Sequence, residues 1–178
     1  MFTTKPSMRR AVSVIAVTGC LLSTLPNITW AQGLPGLVLF SGVERENQLS
    51  YRLDYGTRGL WGDRYVLKIP AKKIKLNVSQ ININYPDYYD GGFDTKSVEV
   101  KVKGKRLPLQ DVKWDKENHA LQMILQEPIE ADNKVEIVLN NVKNPPFGGT
   151  YYFDCHIISP TAEVPLPRYL GTWILDIG

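Results

Sequence analysis

The sequence predicts an all-β protein, an antiparallel β-sandwich of about ten short strands that is immunoglobulin-like in general architecture. Three observations carry this. Short alternating or β-branched runs recur from residue 37 to residue 177, turn residues separate them, and no stretch after residue 31 shows the apolar period of an amphipathic helix. Without helical crossovers a parallel sheet has no connections, so the strands are expected to pair antiparallel.

The expected strands are residues 37–40, 49–54, 64–69, 76–84, 97–103, 106–109, 112–114, 120–126, 134–140, 150–158 and 168–177. The clearest is Val98-Glu99-Val100-Lys101-Val102-Lys103, whose strict alternation describes a strand with one face on the core and one in water. Gly104-Lys105 permits a tight reversal into Arg106-Leu107, and Lys116-Glu117-Asn118 reads as a second hairpin connection between Trp114 and Leu121. Pro70 closes one strand, Pro86 opens a loop, Pro145-Pro146 precede Gly148-Gly149, and Pro160, Pro165 and Pro167 punctuate the connection into the last strand. Tyr151, Phe153, Cys155 and Ile157 fall on one face of a period-two segment, which makes Cys155 a small apolar core residue. Trp61, Trp114 and Trp173 are expected at core or edge positions.

Residues 1–31 have the three parts of a secretory signal: basic Lys5, Arg9 and Arg10, an apolar stretch ending at Pro26, and small Ala31 before Gln32. Cleavage is expected between Ala31 and Gln32, leaving residues 32–178 as one β-sandwich domain without a transmembrane helix, because the apolar stretch is too broken to span a bilayer. Val17-Thr18-Gly19-Cys20 offers a competing lipoprotein reading with Cys20 as the anchored residue. The expected compartment is the periplasm, the thylakoid lumen or the extracellular space. Cys155 is the only cysteine after residue 31, so that portion forms no internal disulfide.

Three of the 21 Lys and Arg residues lie in the first 31 positions, and the remaining 18 balance 18 acidic residues. A formally neutral body removes the electrostatic case for nucleic acid or an anionic membrane surface as partner. Lys72, Lys73 and Lys75, and Lys101, Lys103, Lys105 and Arg106, read as solvated faces that discourage edge pairing.

The most unusual composition is residues 85–94, Tyr-Pro-Asp-Tyr-Tyr-Asp-Gly-Gly-Phe-Asp. Asp87, Asp90 and Asp94 are candidate oxygen ligands for Ca²⁺, although no EF-hand spacing is present. Tyr88, Tyr89 and Phe93 are candidates for an exposed aromatic platform that binds a glycan or a protein of the envelope or lumen. The competing reading packs these rings on the sandwich edge and uses the carboxylates in turns. Asp154 and His156 project from one strand face; a polar pair on the solvated sheet outweighs an acid–base site, since no nucleophile motif accompanies them. Catalytic residues are therefore not assigned, and no cofactor beyond Ca²⁺ is suggested.

Lys143-Asn144-Pro145-Pro146-Phe147-Gly148-Gly149-Thr150-Tyr151-Tyr152-Phe153, followed by Tyr169-Leu170-Gly171-Thr172-Trp173, resembles the closing pattern of the exported cyanobacterial family known as domain of unknown function 2808. The likeness extends upstream through Asp63-Arg64-Tyr65, residues 85–91 and Trp114-Asp115. The resemblance implies an exported β-domain of a photosynthetic bacterium and no established activity. In that pattern Gly148 and Gly149 are expected to supply positive φ after the prolines, and Gly171 a close backbone approach. The leading functional expectation is a non-enzymatic binding or scaffolding module. The alternatives are a calcium-dependent module and, less favoured, a hydrolase or redox enzyme built on Asp154, Cys155 or His156.

Overall fold

The computed structural model describes residues 42–160 and 165–178; the expected signal segment, its Ala31/Gln32 cleavage point, Cys20 and the expected strand at residues 37–40 lie outside them. Among the described residues eleven strands form: β1 (Gln48–Leu49), β2 (Tyr51–Leu53), β3 (Trp61–Ile69), β4 (Val78–Asn84), β5 (Val98–Val102), β6 (Lys105–Leu107), β7 (Leu109–Asp115), β8 (Ala120–Ile129), β9 (Val135–Lys143), β10 (Gly149–Ile158) and β11 (Arg168–Ile177). They build two sheets, ordered β1-β11-β10-β4-β8-β7 and β2-β3-β9-β5-β6. The all-β sandwich predicted from alternation is the observed architecture.

Alternation explains the core. β10 buries Tyr151, Phe153, Cys155 and Ile157 and turns Tyr152, Asp154 and His156 outward, while β3 buries Asp63, Tyr65, Leu67 and Ile69. Trp173 of β11 is fully buried, and its indole N–H donates to the Lys68 carbonyl of the other sheet at 3.2 Å.

The structure departs from expectation in four places. The expected strand at 49–54 divides at Ser50: β1 joins one sheet and β2 the other. β1 pairs with β11 in parallel, so the sandwich is not wholly antiparallel. The residues between Arg106 and Leu109 also divide, with the chain crossing between sheets at Pro108, and the preceding hairpin turns on Lys103 (φ 50°) and Gly104 (φ 79°). Finally, Gly148 and Gly149 are absent from the positive-φ residues. Gly148 is instead needed for space, since a Cβ there would sit 3.0 Å from the Ile177 carbonyl oxygen.

Strand directions gather specific loops at one end of the sandwich. β2, β4, β7, β9 and β11 finish there and β3, β5, β8 and β10 begin there, so residues 54–60, 85–97, 116–119, 144–148 and Gly178 share one pole.

Candidate functional site

A buried polar knot fixes this loop pole. Asp63 is fully buried on β3; its carboxylate accepts the N–H groups of Tyr55 (3.1 Å), Gly56 (2.8 Å) and Arg64 (2.7 Å) and the Asn144 side-chain amide (2.9 Å). The same amide donates to the Thr57 carbonyl at 2.7 Å, and Asn144 Oδ1 accepts the Tyr65 hydroxyl at 2.6 Å. The Tyr65 hydroxyl in turn lies 3.3 Å from that of Tyr89. Three stretches far apart in sequence, residues 55–65, Tyr89 and Asn144, are thereby tied together, and each buried polar atom avoids the cost of remaining unpaired.

The loop after β4 is anchored on this knot by aromatic packing. Tyr89 and Phe93 are buried, stack on one another at 5.6 Å, and meet Phe153 edge-on at 4.9 and 6.2 Å. Burial pushes the hydroxyl pKa values of Tyr65 and Tyr89 well above the ordinary phenol range. Gly91 is required by the fold-back, because a Cβ there would fall 2.4 Å from the Tyr89 ring. Tyr88 alone among the three candidate platform residues is exposed, at 57%, with its ring 5.6 Å from that of Tyr151. Tyr88, Tyr89 and Phe93 therefore do not form one exposed platform.

Nor are the three candidate carboxylates gathered around a cation: among the described residues no group of three or more His, Cys, Asp or Glu side chains is placed to hold a metal ion. Asp94 accepts from the Ser97 hydroxyl (2.7 Å), the Asn141 amide (3.1 Å) and the Lys96 N–H (3.1 Å), which hold its carboxyl below the usual range. Asp87 and Asp90 are exposed on the same loop.

The pole presents other aromatics, among them Trp61, which the sequence places at a core or edge position. Trp61 is 72% exposed, and the cause is local. Between Trp61 and Asp63 the β3–β9 register shifts, with Gly62 (φ 85°) as the extra residue on β3. A bulge reverses the alternation, so Trp61 faces water although Asp63, Tyr65, Leu67 and Ile69 face the core. Tyr55 at 71% and Phe147 at 76% are exposed on neighbouring loops. Trp61-Gly62 was the available signal, an aromatic beside a residue that tolerates positive φ.

Trp61 and Trp114 line one hollow of about 370 Å³ together with Asp90, Asp94, Asn141, Lys116 and Lys143, with Gly91 and Gly92 exposing backbone. Trp114 is fixed by donation of its indole N–H to the Tyr85 hydroxyl at 2.7 Å. Lys116 places its ammonium 4.3 Å from the Trp114 ring centre, and Lys143 places its own 5.2 Å from that of Trp61. A second hollow, of about 310 Å³, continues past Asp90, Gly91, Trp114 and Lys116 to Asp87 and His119. The two form a composite groove with stacking surfaces, carboxylate and amide oxygens, and a balanced pair of lysines.

Asp154 and His156 lie elsewhere, on the outer face of the six-stranded sheet. Asp154 accepts from the Thr172 hydroxyl, which is bonded to the Tyr169 hydroxyl at 2.7 Å, and His156 packs its ring 5.5 Å from that of Tyr169 with its Nδ1 buried and unpartnered. Cys155 points to the opposite face, fully buried, and burial pushes its thiol well above the ordinary range. The three do not converge as an acid–base–nucleophile set.

Among solved structures the chain is similar to the bacterial hydrophobin BslA, with 14% identity and a TM-score of 0.46 over 74% of this chain and 91% of that one. It is also similar to the collagen-binding domain of a Staphylococcus aureus adhesin (11%, 0.41, 72% and 95%) and to an uncharacterised Nocardia farcinica protein with an immunoglobulin-like fold (8%, 0.40, 74% and 98%). No curated protein matches the chain. Residues 37–177 match the model of the family described as "Protein of unknown function (DUF2808)", and the chain belongs to that family.

Proposed function

We propose that this protein is a non-enzymatic binding module that takes a saccharide chain in the groove between Trp61 and Trp114. The single observation that carries the reading is the placement of two indoles, two carboxylates and an amide in one open hollow on a rigidly tied loop pole. Sugar hydroxyls are donors and acceptors that match Asp90, Asp94 and Asn141, while the slightly positive C–H face of a pyranose meets the negative face of an indole. Lys116 and Lys143 offset Asp90 and Asp94, so the lining favours a neutral chain and binding that salt hardly changes. The basic and apolar composition of residues 1–31 supports export, with cleavage between Ala31 and Gln32, to the periplasm, the thylakoid lumen or the extracellular space.

The test is calorimetric titration of the purified chain with cellohexaose, maltohexaose and chitohexaose, alongside electrophoresis through gels containing neutral polysaccharide. Saturable binding of one of these is expected, weakened about tenfold or more by W61A through loss of a stacking surface, and unchanged by Y152A on the remote sheet face. Absence of binding to all three, release of shorter sugars on incubation, or equal binding by W61A would overturn the proposal.

A further inference from the structure

We infer that the protein forms a two-fold symmetric dimer through its β7 edge. Among the described residues four strands end the sheets: β1, β2, β6 and β7. β1 has two residues and β2 and β6 three each, whereas β7 (Leu109–Asp115) has seven, of which Asp111–Asp115 run without a break beyond a bulge at Gln110 and are long enough to pair with another strand. β6 also carries Lys105 and Arg106, which repel their own copies. Gln110, Asp111 and Val112 of β7 border an open hollow of about 420 Å³ whose other wall includes Thr95, Lys96, Arg106 and Leu107, so among the described residues an open space runs beside this edge.

The charge order along β7 selects both the partner and the register. Asp111, Lys113 and Asp115 alternate onto the outer face, paired across to Ile124, Gln122 and Ala120 of β8. An antiparallel pair of identical strands has a two-fold axis, and its axis must pass through a residue if both outer faces are to lie on the same side. Centring the axis on Asp111 sets Asp111 against Asp111, and centring it on Lys113 sets lysine against lysine and Asp111 against Asp115. Centring it on Val112 sets each Asp111 against the partner's Lys113, twice, with the bulged Gln110 lying outside these pairs. Centring it on Trp114 also sets each Lys113 against the partner's Asp115, but it engages only the last three residues of β7, whereas the Val112 register engages the middle of the strand, where directly opposed side chains sit about 5 Å apart at Cβ. Asp111 and Lys113 are both well exposed, and their existing ion pair within the strand is long, at 3.6 Å, so both are free to exchange partners. A lysine-only edge would repel a second copy; this alternating one attracts it. The partner is therefore a second copy of this chain, joining two six-stranded sheets into a continuous twelve-stranded one.

Sedimentation equilibrium from low micromolar to millimolar concentration tests this. Wild type should show a monomer–dimer equilibrium that weakens with salt. D111K and K113D each create two like-charge contacts and should raise the dimer dissociation constant at least about tenfold with an unchanged melting midpoint. The exchanged double variant D111K/K113D restores both contacts and should return within about threefold of wild type. A wild type that stays monomeric throughout, single variants that dimerise as tightly as wild type, or a double variant that stays as weak as the singles would each overturn the inference.

Discussion

Replacing Asn144 by alanine removes the centre of the loop-pole knot. Three hydrogen bonds disappear: to the Thr57 carbonyl, to the Asp63 carboxylate, and from the Tyr65 hydroxyl. Thr57 keeps only a 3.3 Å bond from the Leu60 N–H, and Tyr65 keeps only its 3.3 Å contact with Tyr89. At about 1 kcal/mol for each neutral bond and about 1.5 to 3 for the bond to a buried carboxylate, the cost is about 3 to 5 kcal/mol. Against a stability of about 5 to 15 kcal/mol this is a large fraction, and it corresponds to a fall in Tm of about 10 to 20 °C. Y65F removes one of the three bonds and should cost about 1 kcal/mol, with a measurable coupling to N144A in a double-mutant cycle. Urea unfolding followed by far-ultraviolet circular dichroism and by the fluorescence of buried Trp173 gives both numbers. If N144A unfolds within about 1 kcal/mol of wild type, the knot does not hold the pole and the reasoning fails.

Further outcomes follow from single contacts. G171A should cost about 1 to 3 kcal/mol by urea unfolding and loosen β1 from β11, because its Cβ would meet the Asn47 carbonyl oxygen at 2.5 Å and Leu49 Cγ at 2.9 Å. Cys155 should resist a thiol reagent in the native protein and react only as fast as the domain opens; rapid labelling without denaturant would contradict its burial. Tyr65, Tyr85, Tyr89 and Tyr151 all have hydroxyls displaced upward, chiefly by burial. The folded state favours their neutral form, so this contribution is complete below the unfolded phenol pKa of about 10 and is lost as pH rises above it. Alkaline titration should then show the Tyr65 and Tyr89 phenolates appearing together with unfolding, and their smooth ionisation in a still-folded domain would refute the assignment.

Much of the framework was legible because alternation is a local property. The face shared by Tyr151, Phe153, Cys155 and Ile157 is the buried face of β10, and the hairpin after Trp114 lies where its turn residues indicated. What was not legible depends on distant partners. Trp61 faces outward only because Gly62 adds a residue to β3 at its pairing with β9, some eighty positions along the chain. Asp63 and Asn144 stand in the motifs that carry the family likeness, yet nothing in either segment alone reveals that each completes the other's hydrogen bonds. The division of residues 49–54 between two sheets follows from the parallel pairing of Gln48 and Leu49 with Thr172 and Trp173, which local pattern does not encode. Of the loop at 85–94, composition identified an unusual segment but not which rings point inward; packing against Phe153 and the Tyr65 hydroxyl decided that.

The most direct test of the binding surface is an amide chemical-shift map of the isotopically labelled protein during titration with the hexasaccharide that binds. The groove reading places the largest shifts at Trp61, Asp90 to Asp94, Trp114 to Lys116 and Asn141 to Lys143, together with movement of the Trp61 and Trp114 indole signals. Shifts centred on Asp154, His156 and Thr172 of the outer sheet face, with the Trp61 and Trp114 indoles unmoved, would contradict it.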